Sequence, residues 1–196
     1  MIAGLVLAGG KGSRFGGGKL LAELGGRPLV EWPIAALEAA GLERIVLVLG
    51  ADAERIRDQI DPGPAEIVTA ENWAEGQSAS LAAGVSSLAE AEAIAVVLGD
   101  QPLISPRAIE RVIAARNPGV AALRATYSGK PAHPTLFEQE LFPHLLELRG
   151  DLGARELLTE VRSEDVACDG LGSPIDIDTA EDLQRAQAAW VAPGAG

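Results

Sequence analysis

The segment Leu7-Ala8-Gly9-Gly10-Lys11-Gly12-Ser13-Arg14-Phe15-Gly16-Gly17-Gly18-Lys19 packs glycines and three cations into one stretch, directly after the apolar run Ile2 to Leu7. Glycines let backbone N–H groups converge on an anion without interference from Cβ, and Arg14 and Lys19 can neutralise several phosphate oxygens at once. No acidic residue precedes Glu23, although the chain carries a net charge of −12. A phosphate-rich ligand is the simplest reason for that local reversal. Lys11, between flexible glycines, reads equally as a phosphate contact or as a solvated surface residue.

Two common glycine motifs fail on this segment. A Walker A loop requires GxxxxGK[ST], but the frame that ends at Gly18-Lys19 begins with Ser13 and continues with Leu20. A dinucleotide fingerprint starting at Gly10-x-Gly12 meets Phe15 where its third glycine belongs, and no acidic residue follows at a strand end about twenty residues on. What remains is LxGGxxxRxGxxK, from Leu7 to Lys19.

The elements that must position this loop are those of an α/β protein. Short apolar runs, Ile2 to Leu7, Arg44 to Leu49, Ala65 to Thr69, Ala93 to Leu98 and Val120 to Tyr127, alternate with stretches of helical spacing. Ile45 to Leu49 and Ile94 to Leu98 are apolar on both faces, as central strands covered by helices on each side must be. Helices are expected over Pro28 to Ala40, Asp52 to Ile60, Ser78 to Ala91 and Ser105 to Ala115, the last with Ser105 as N-cap and Pro106 at its first position. Further helices are expected over Phe137 to Leu148, Gly153 to Glu160 and Thr179 to Val191, with short strands at Val166 and at Ile175 to Ile177. The alternation predicts an α/β sandwich in a single domain spanning 1–196.

Composition narrows the function. A chain of 196 residues with 47% hydrophobic residues can bury one substantial core. Only 4% of its residues are aromatic and its balance is strongly acidic, which counts against a nucleic-acid partner. One cysteine, Cys168, allows neither a disulfide framework nor a CxxC pair and fits a reducing compartment. Neither a signal peptide nor a membrane span fits the opening residues, so a cytoplasmic protein without a membrane partner is expected. Cys168 and His144 read as structural, and Trp32, Trp73 and Trp190 as packing residues.

The pattern Leu7-Ala8-Gly9-Gly10 with Arg14, Gly16 and Lys19 resembles the MobA-like nucleotidyltransferases, which move an NMP group from an NTP to a phosphate-bearing acceptor. The resemblance runs along nearly the whole chain and implies an α/β three-layer Rossmann-like nucleotidyltransferase fold with a mostly parallel mixed sheet. Asn72-Trp73-Ala74-Glu75-Gly76, followed by Ser78, Ser80, Leu81 and Gly84, is similar to the family's second nucleotide-binding stretch, and Leu98-Gly99-Asp100-Gln101-Pro102-Leu103 to its metal motif. His133-Pro134, Gly150-Asp151-x-Gly153-Ala154-Arg155 and Asp176-Ile177-Asp178-Thr179 are similar to the molybdenum cofactor cytidylyltransferase branch.

The resemblance implies a nucleotide site formed by Leu7, Ala8, Gly9, Gly10, Arg14, Lys19, Asn72, Gly76 and Ser80, with Arg14, Lys19 and Asp100 as catalytic residues. It implies Mg²⁺ on Asp100 and a second carboxylate, because that ion takes a few carboxylates together with phosphate oxygens and water. Asp178 is the choice and Asp176 the fallback. In an extended segment the two would share one face, and the competing role for Asp178 is a helix cap. His133, Asp151 and Arg155 are the acceptor-side residues. His133 is expected to orient substrate or hold structure rather than move a proton, since a phosphate nucleophile is already ionised. Arg155 is expected to grip the acceptor phosphate, or else to pair with Asp151 along a helix.

The partners implied are an NTP, a molybdopterin-type phosphorylated acceptor, and a molybdenum enzyme that receives the product. CTP is the favoured donor and GTP the alternative, because the cytidylyl branch has Leu-Ala-Ala-Gly where this chain has Gly9-Gly10. Pro131-Ala132 also replaces a glycine that usually precedes His-Pro. Two other classes stay open: an NAD(P)H-dependent oxidoreductase of the same fold acting on a nicotine-derived pigment, against which the missing dinucleotide fingerprint counts, and a non-catalytic cofactor carrier.

Overall fold

In the computed structural model, which describes residues 1–150 and 153–190, the apolar runs become strands. β1 (Ile2–Ala8) leads through the glycine loop to a small hairpin of β2 (Glu23–Leu24) and β3 (Arg27–Pro28), then to α1 (Glu31–Ala39). β4 (Ile45–Leu49), α2 (Ala53–Gln59), β5 (Ala65–Thr69), α3 (Gln77–Ser87), β6 (Ala93–Leu98) and α4 (Pro106–Ala114) follow in strict alternation. The remainder holds β7 (Ala122–Tyr127), β8 (Lys130–Glu138), α5 (Phe142–Glu147), α6 (Gly153–Glu160), β9 (Ser163–Ala167) and α7 (Ala180–Ala189).

The main sheet has seven strands in the order β5-β4-β1-β6-β8-β7-β9. β1 pairs in parallel with both β4 and β6, β4 with β5, and β7 with β9, while β8 runs antiparallel to β6 and β7. This is the mostly parallel mixed sheet that the sequence predicts. Because the chain goes from β1 outward to β4 and β5 and then returns to β6 on the other side, the strand order reverses between β1 and β6. Open α/β sheets bind ligands in the crevice at such a point, beyond the carboxyl ends of the strands.

Alternation along the central strands feeds two cores. Leu5 and Leu7, Val46 and Val48, and Ile94 and Val96 pack with Leu81 and Val85 of α3 and with Leu145 and Leu158 beyond them. Val6 and Ala8, Leu47 and Leu49, and Ala95 and Val97 face Ile34 and Leu37 of α1, Ile56 of α2 and Ile109 of α4. Leu47 is fully buried, and truncating such a side chain to Ala costs about 2–5 kcal/mol. Among the described residues no helix is long and apolar enough to cross a membrane.

Two expectations need correction. The helix expected from Phe137 begins only at Phe142, because Phe137 is the inward-facing end of strand β8. Pro131 and Pro134 disguise this strand, since proline cannot donate to a ladder. The structure accommodates them at a bulge: Arg124 pairs with Thr135 and Thr126 with Pro131, so Ala132, His133 and Pro134 face only Ala125. The expected strand at Ile175 to Ile177 is not a sheet element either. It runs against the loop after β6, with the Ile177 N–H donating to the Asp100 carbonyl at 2.9 Å and the Ser173 N–H to that of Leu103 at 3.0 Å.

Candidate functional site

The glycine loop leaves β1 at Ala8 and forms two short 3₁₀ turns, Ser13–Phe15 and Lys19–Leu21. Gly16, Gly17 and Gly18 between them have φ of +86°, +97° and +67°, a left-handed run that side chains disfavour. Gly9 is required for a different reason, close approach. A Cβ there would lie 2.1 Å from the Ser80 Oγ, so the first turns of α3 sit directly against the loop.

Loop and helix enclose a cavity of about 230 Å³. Leu7, Ala8, Gly9, Gly10, Lys19, Gly76, Ser80 and Asp100 line it together, as do Leu20, Trp73, Gln77 and Leu98, which the sequence did not single out for this wall. Asn72 does not line it; its side-chain amide donates to Glu75 at 3.3 Å.

At the edge of this cavity the Lys19 Nζ lies 2.6 Å from the Asp100 Oδ2 and 3.2 Å from the Asp178 Oδ1. Arg14 reaches Asp178 from the solvent side, with Nη1 to Oδ2 at 3.0 Å. Burial alone would lower the Lys19 pKa, but Asp100 and then Asp178 outweigh it, and the net shift is upward. The ammonium is therefore fixed as a charged strut between two carboxylates that come from distant parts of the chain.

Asp178 is available for this because it does not cap α7. The Thr179 Oγ1 accepts the Asp182 N–H at 3.1 Å, and the Asp182 carboxylate accepts the N–H groups of Thr179 at 2.8 Å and Asp178 at 3.2 Å. This capping box satisfies the helix start and leaves the Asp178 side chain to Lys19 and Arg14.

Among the described residues no group of three or more His, Cys, Asp or Glu converges as a closed metal cage. Two carboxylates sharing one ammonium suit instead a hard ion completed by phosphate oxygens and water.

A second cavity, of about 260 Å³, adjoins the first, and Leu7, Gln77 and Leu98 border both. Its wall includes His133 and Arg155, which the sequence anticipates, and Arg124, Gln101, Thr135 and Asp176. Asp151 lies outside the described residues. The bulge in β8 turns His133 toward β6, where its Nδ1 is 3.2 Å from the Val96 carbonyl. That contact makes Nδ1 the protonated nitrogen. Burial holds the His133 pKa below its ordinary value, with the Arg155 charge acting in the same direction and the Val96 bond and Asp100 opposing it.

Asp176 also belongs to this side. Its Oδ1 accepts from the Gln101 Nε2 at 2.7 Å, and burial raises its pKa despite that bond. The Asp-x-Asp pair is thus divided, Asp178 going to Lys19 and Asp176 to the second cavity, with Ile177 fully buried between them. The expectation that both carboxylates share one face does not hold. Arg124 carried no local sequence signal and enters the wall through the antiparallel return of β7 and β8 beside β6, while Gln101, read only as part of the Leu98–Leu103 motif, enters from the loop after β6.

Residues 4–166 match the family profile of the MobA-like NTP transferase domain. The chain is 30% identical over 195 residues to nicotine blue oxidoreductase from Paenarthrobacter nicotinovorans, covering 94% of this chain and 95% of that one. It is 35% identical over 127 residues to the bifunctional protein GlmU of Geobacter sulfurreducens, covering 62% of this chain but only 26% of GlmU. Among solved structures, Rv0371c from Mycobacterium tuberculosis H37Rv superposes with a TM-score of 0.85 at 28% identity over 95% of this chain and 97% of that one. A second structure of Rv0371c, in complex with manganese, superposes with a TM-score of 0.80 at 26% identity, over 96% of this chain and 99% of that one.

Proposed function

Because the chain belongs to the MobA-like NTP transferase family, we propose that it transfers an NMP group from an NTP, CTP by preference, to the phosphate of a molybdopterin-type acceptor. The observation that carries this reading is Lys19 held between Asp100 and Asp178 beside two adjoining cavities. One cavity has the glycine loop needed for a triphosphate, and the other presents Arg155 to an anionic acceptor, beside Arg124, which pairs with Asp165 at 2.9 Å.

In the reaction an acceptor phosphate oxygen attacks the α-phosphorus, a new P–O bond forms, and the bond to the bridging oxygen breaks, so that pyrophosphate leaves with its electron pair. Anion approaches anion, so the protein's task is alignment and charge neutralisation. Lys19 and Arg14 neutralise the phosphates, and the loop N–H groups orient them. No general base is needed. His133, held neutral with Nδ1 committed to Val96, positions the acceptor instead.

Asp100 and Asp178 would hold a divalent ion, for which Mg²⁺ is our choice and the manganese complex of Rv0371c is supporting precedent. When bound, such an ion would supply charge neutralisation for the phosphates. The site of action is the cytoplasm, and the product passes to a molybdenum enzyme. GTP is the alternative donor, because Gly9-Gly10 resembles the guanylyl branch.

The test is incubation with each NTP, Mg²⁺ or Mn²⁺, and molybdenum cofactor, reading pyrophosphate and the dinucleotide product. Transfer with CTP above GTP is expected, and no transfer with any base overturns the reading. Asp100→Ala separates an enzyme from a carrier: a transferase loses turnover while keeping its fold, whereas a carrier still delivers cofactor.

A second reading is favoured by the near full-length likeness to nicotine blue oxidoreductase. It predicts NADPH oxidation with a quinone-like acceptor, and absence of that activity removes it.

A further inference from the structure

The glycine loop has a second face, turned away from Asp100 and Asp178. There a depression of only about 10 Å³, a dimple in an open surface, is lined by Gly10, Lys11, Gly18, Lys19, Asp52 and Arg55, and Gly10, Lys19 and Leu20 border both it and the nucleotide cavity. The two therefore lie on opposite sides of a shared wall. Arg55, on α2, lays its guanidinium over Gly18: a methyl group built on Gly18 would lie 3.5 Å from its Nη2 and 3.8 Å from its Nη1.

Arg55 has carboxylates available nearby, Asp52 and Asp58 three residues away on either side and Glu54 beside it. It pairs with none of them, and among the described residues it has no hydrogen bond or ion pair. Its neighbour Arg57, by contrast, bonds Thr69 at 3.1 Å. Arg14 and Lys19 are already engaged with the carboxylates on the first face. A cation in an acidic chain that forgoes its local partners to lie over an anion-binding loop is placed for an anion that arrives with the ligand.

We propose that Arg55, with Lys11 beside it, binds the β- and γ-phosphates of the NTP, and hence the pyrophosphate that leaves. The inference rests on the transferase reading and adds a residue to it. The triphosphate crosses the loop, its α-phosphate next to Lys19 and Asp100 and its distal end over Gly18 toward α2. A planar fork of donors suits adjacent phosphate oxygens, and close approach is open because Gly18, at φ +67°, carries no side chain.

The test compares wild type, Arg55→Ala and Arg55→Lys by calorimetric titration with CTP, GTP, CMP, GMP and inorganic pyrophosphate, with circular dichroism as the folding control. In Arg55→Ala the dissociation constants for NTP and pyrophosphate should rise about tenfold, while NMP binding stays unchanged. Arg55→Lys, which keeps the charge but not the fork, should lie between. Unchanged pyrophosphate and NTP affinity overturns the proposal, and so does an equal loss for NMP, which would put Arg55 at the α-phosphate or in general support of the loop. A wild type that binds no NTP and no pyrophosphate removes the transferase reading as well, whereas a wild type that binds them as tightly as Arg55→Ala removes only this one.

Discussion

The two adjoining cavities are built by different means. The one around Gly9 and Lys19 is walled largely by consecutive backbone, the turn after β1 closed by the start of α3. The one around His133 takes its polar residues from β7, β8, α6, the loops after β6 and before α7, and the start of α3. Backbone recognises what every NTP shares, a chain of phosphates, while scattered side chains recognise what distinguishes one acceptor from another. Damage to the first should therefore cost turnover with every substrate, and damage to the second should cost one substrate only.

Lys19→Ala should break this contrast most severely. It leaves the half-buried Asp100 and Asp178 without their shared ammonium, and turnover should fall about a hundredfold to a thousandfold, read as pyrophosphate release at saturating NTP and acceptor. Melting temperature should fall too, since a carboxylate stripped of its partner in a low-dielectric site is destabilising. The folded-state pKa of Lys19 is raised above 10.5, so its stabilising contribution is complete at neutral pH and is lost only as pH rises through that folded value. Turnover within a fewfold of wild type would show that the strut is structural and that the chemistry lies elsewhere.

The adjacent glycines offer a sharper version of the same comparison. A Cβ at position 9 meets the Ser80 Oγ at 2.1 Å, whereas at position 10 nothing lies within 4 Å. Gly9→Ala should cost about 1–3 kcal/mol through overpacking and weaken every NTP alike; adding Ser80→Gly should recover most of that loss. Gly10→Ala should leave the unfolding midpoint where it is. If Gly9→Ala instead shifted the preference further from GTP toward CTP without loss of stability, Ser80 would be yielding, and the position would select the base.

On the acceptor side, Arg155→Ala should raise the KM for acceptor about tenfold and leave the KM for NTP unchanged. Equal rises in both constants would mean that the two cavities do not divide the substrates as their walls suggest.

What the sequence made legible follows the same division. The strands β1, β4, β5, β6 and β7, the glycine loop and the capping of α4 depend on residues close together in the chain, and they occur where the pattern places them. Asp100 was legible for the same reason, as the polar residue just beyond an apolar strand. The acceptor wall was not. Arg124 reads as an ordinary strand residue, and it joins the cavity wall through the pairing of β7 with β8, opposite Thr135 and beside the Ala132–Pro134 bulge. The parting of Asp176 from Asp178 was equally hidden, since it depends on the Gln101 side chain binding Asp176 and on the Ile177 N–H binding Asp100, contacts between segments more than seventy residues apart.

A smaller effect is expected from pH at His133. Its folded pKa lies below 6.5, chiefly through burial, while the unfolded chain takes up the proton at the ordinary value. The unfolded state therefore binds more protons once pH falls through about 6.5. Stability should be complete above that value and decline below it, and His133→Asn should flatten this part of the acid limb. The comparison to make is of urea midpoints at about pH 7 and pH 5, bracketing the ordinary histidine value. An unchanged slope in the variant would mean that His133 is more hydrated than its place at the β8 bulge implies.

The smallest effect should come from Asn72, and it separates motif position from geometry. By position in the second nucleotide-binding stretch Asn72 is a sugar or base contact, yet its amide turns to Glu75 at 3.3 Å and it does not line the nucleotide cavity, whereas Trp73 and Gly76 on either side of that turn do. Exposed substitutions away from packing, caps and buried polar networks shift stability by about 0.5 kcal/mol or less, and a residue outside the cavity should move ligand affinity no more. Asn72→Ala should thus change NTP binding less than about twofold, against the much larger losses at Lys19 and Gly9. A loss as large as that of Gly9→Ala would require the turn at Trp73–Glu75 to reorganise when nucleotide binds and deliver Asn72 to the ligand, making this wall an induced one rather than the preformed backbone that the loop and α3 present.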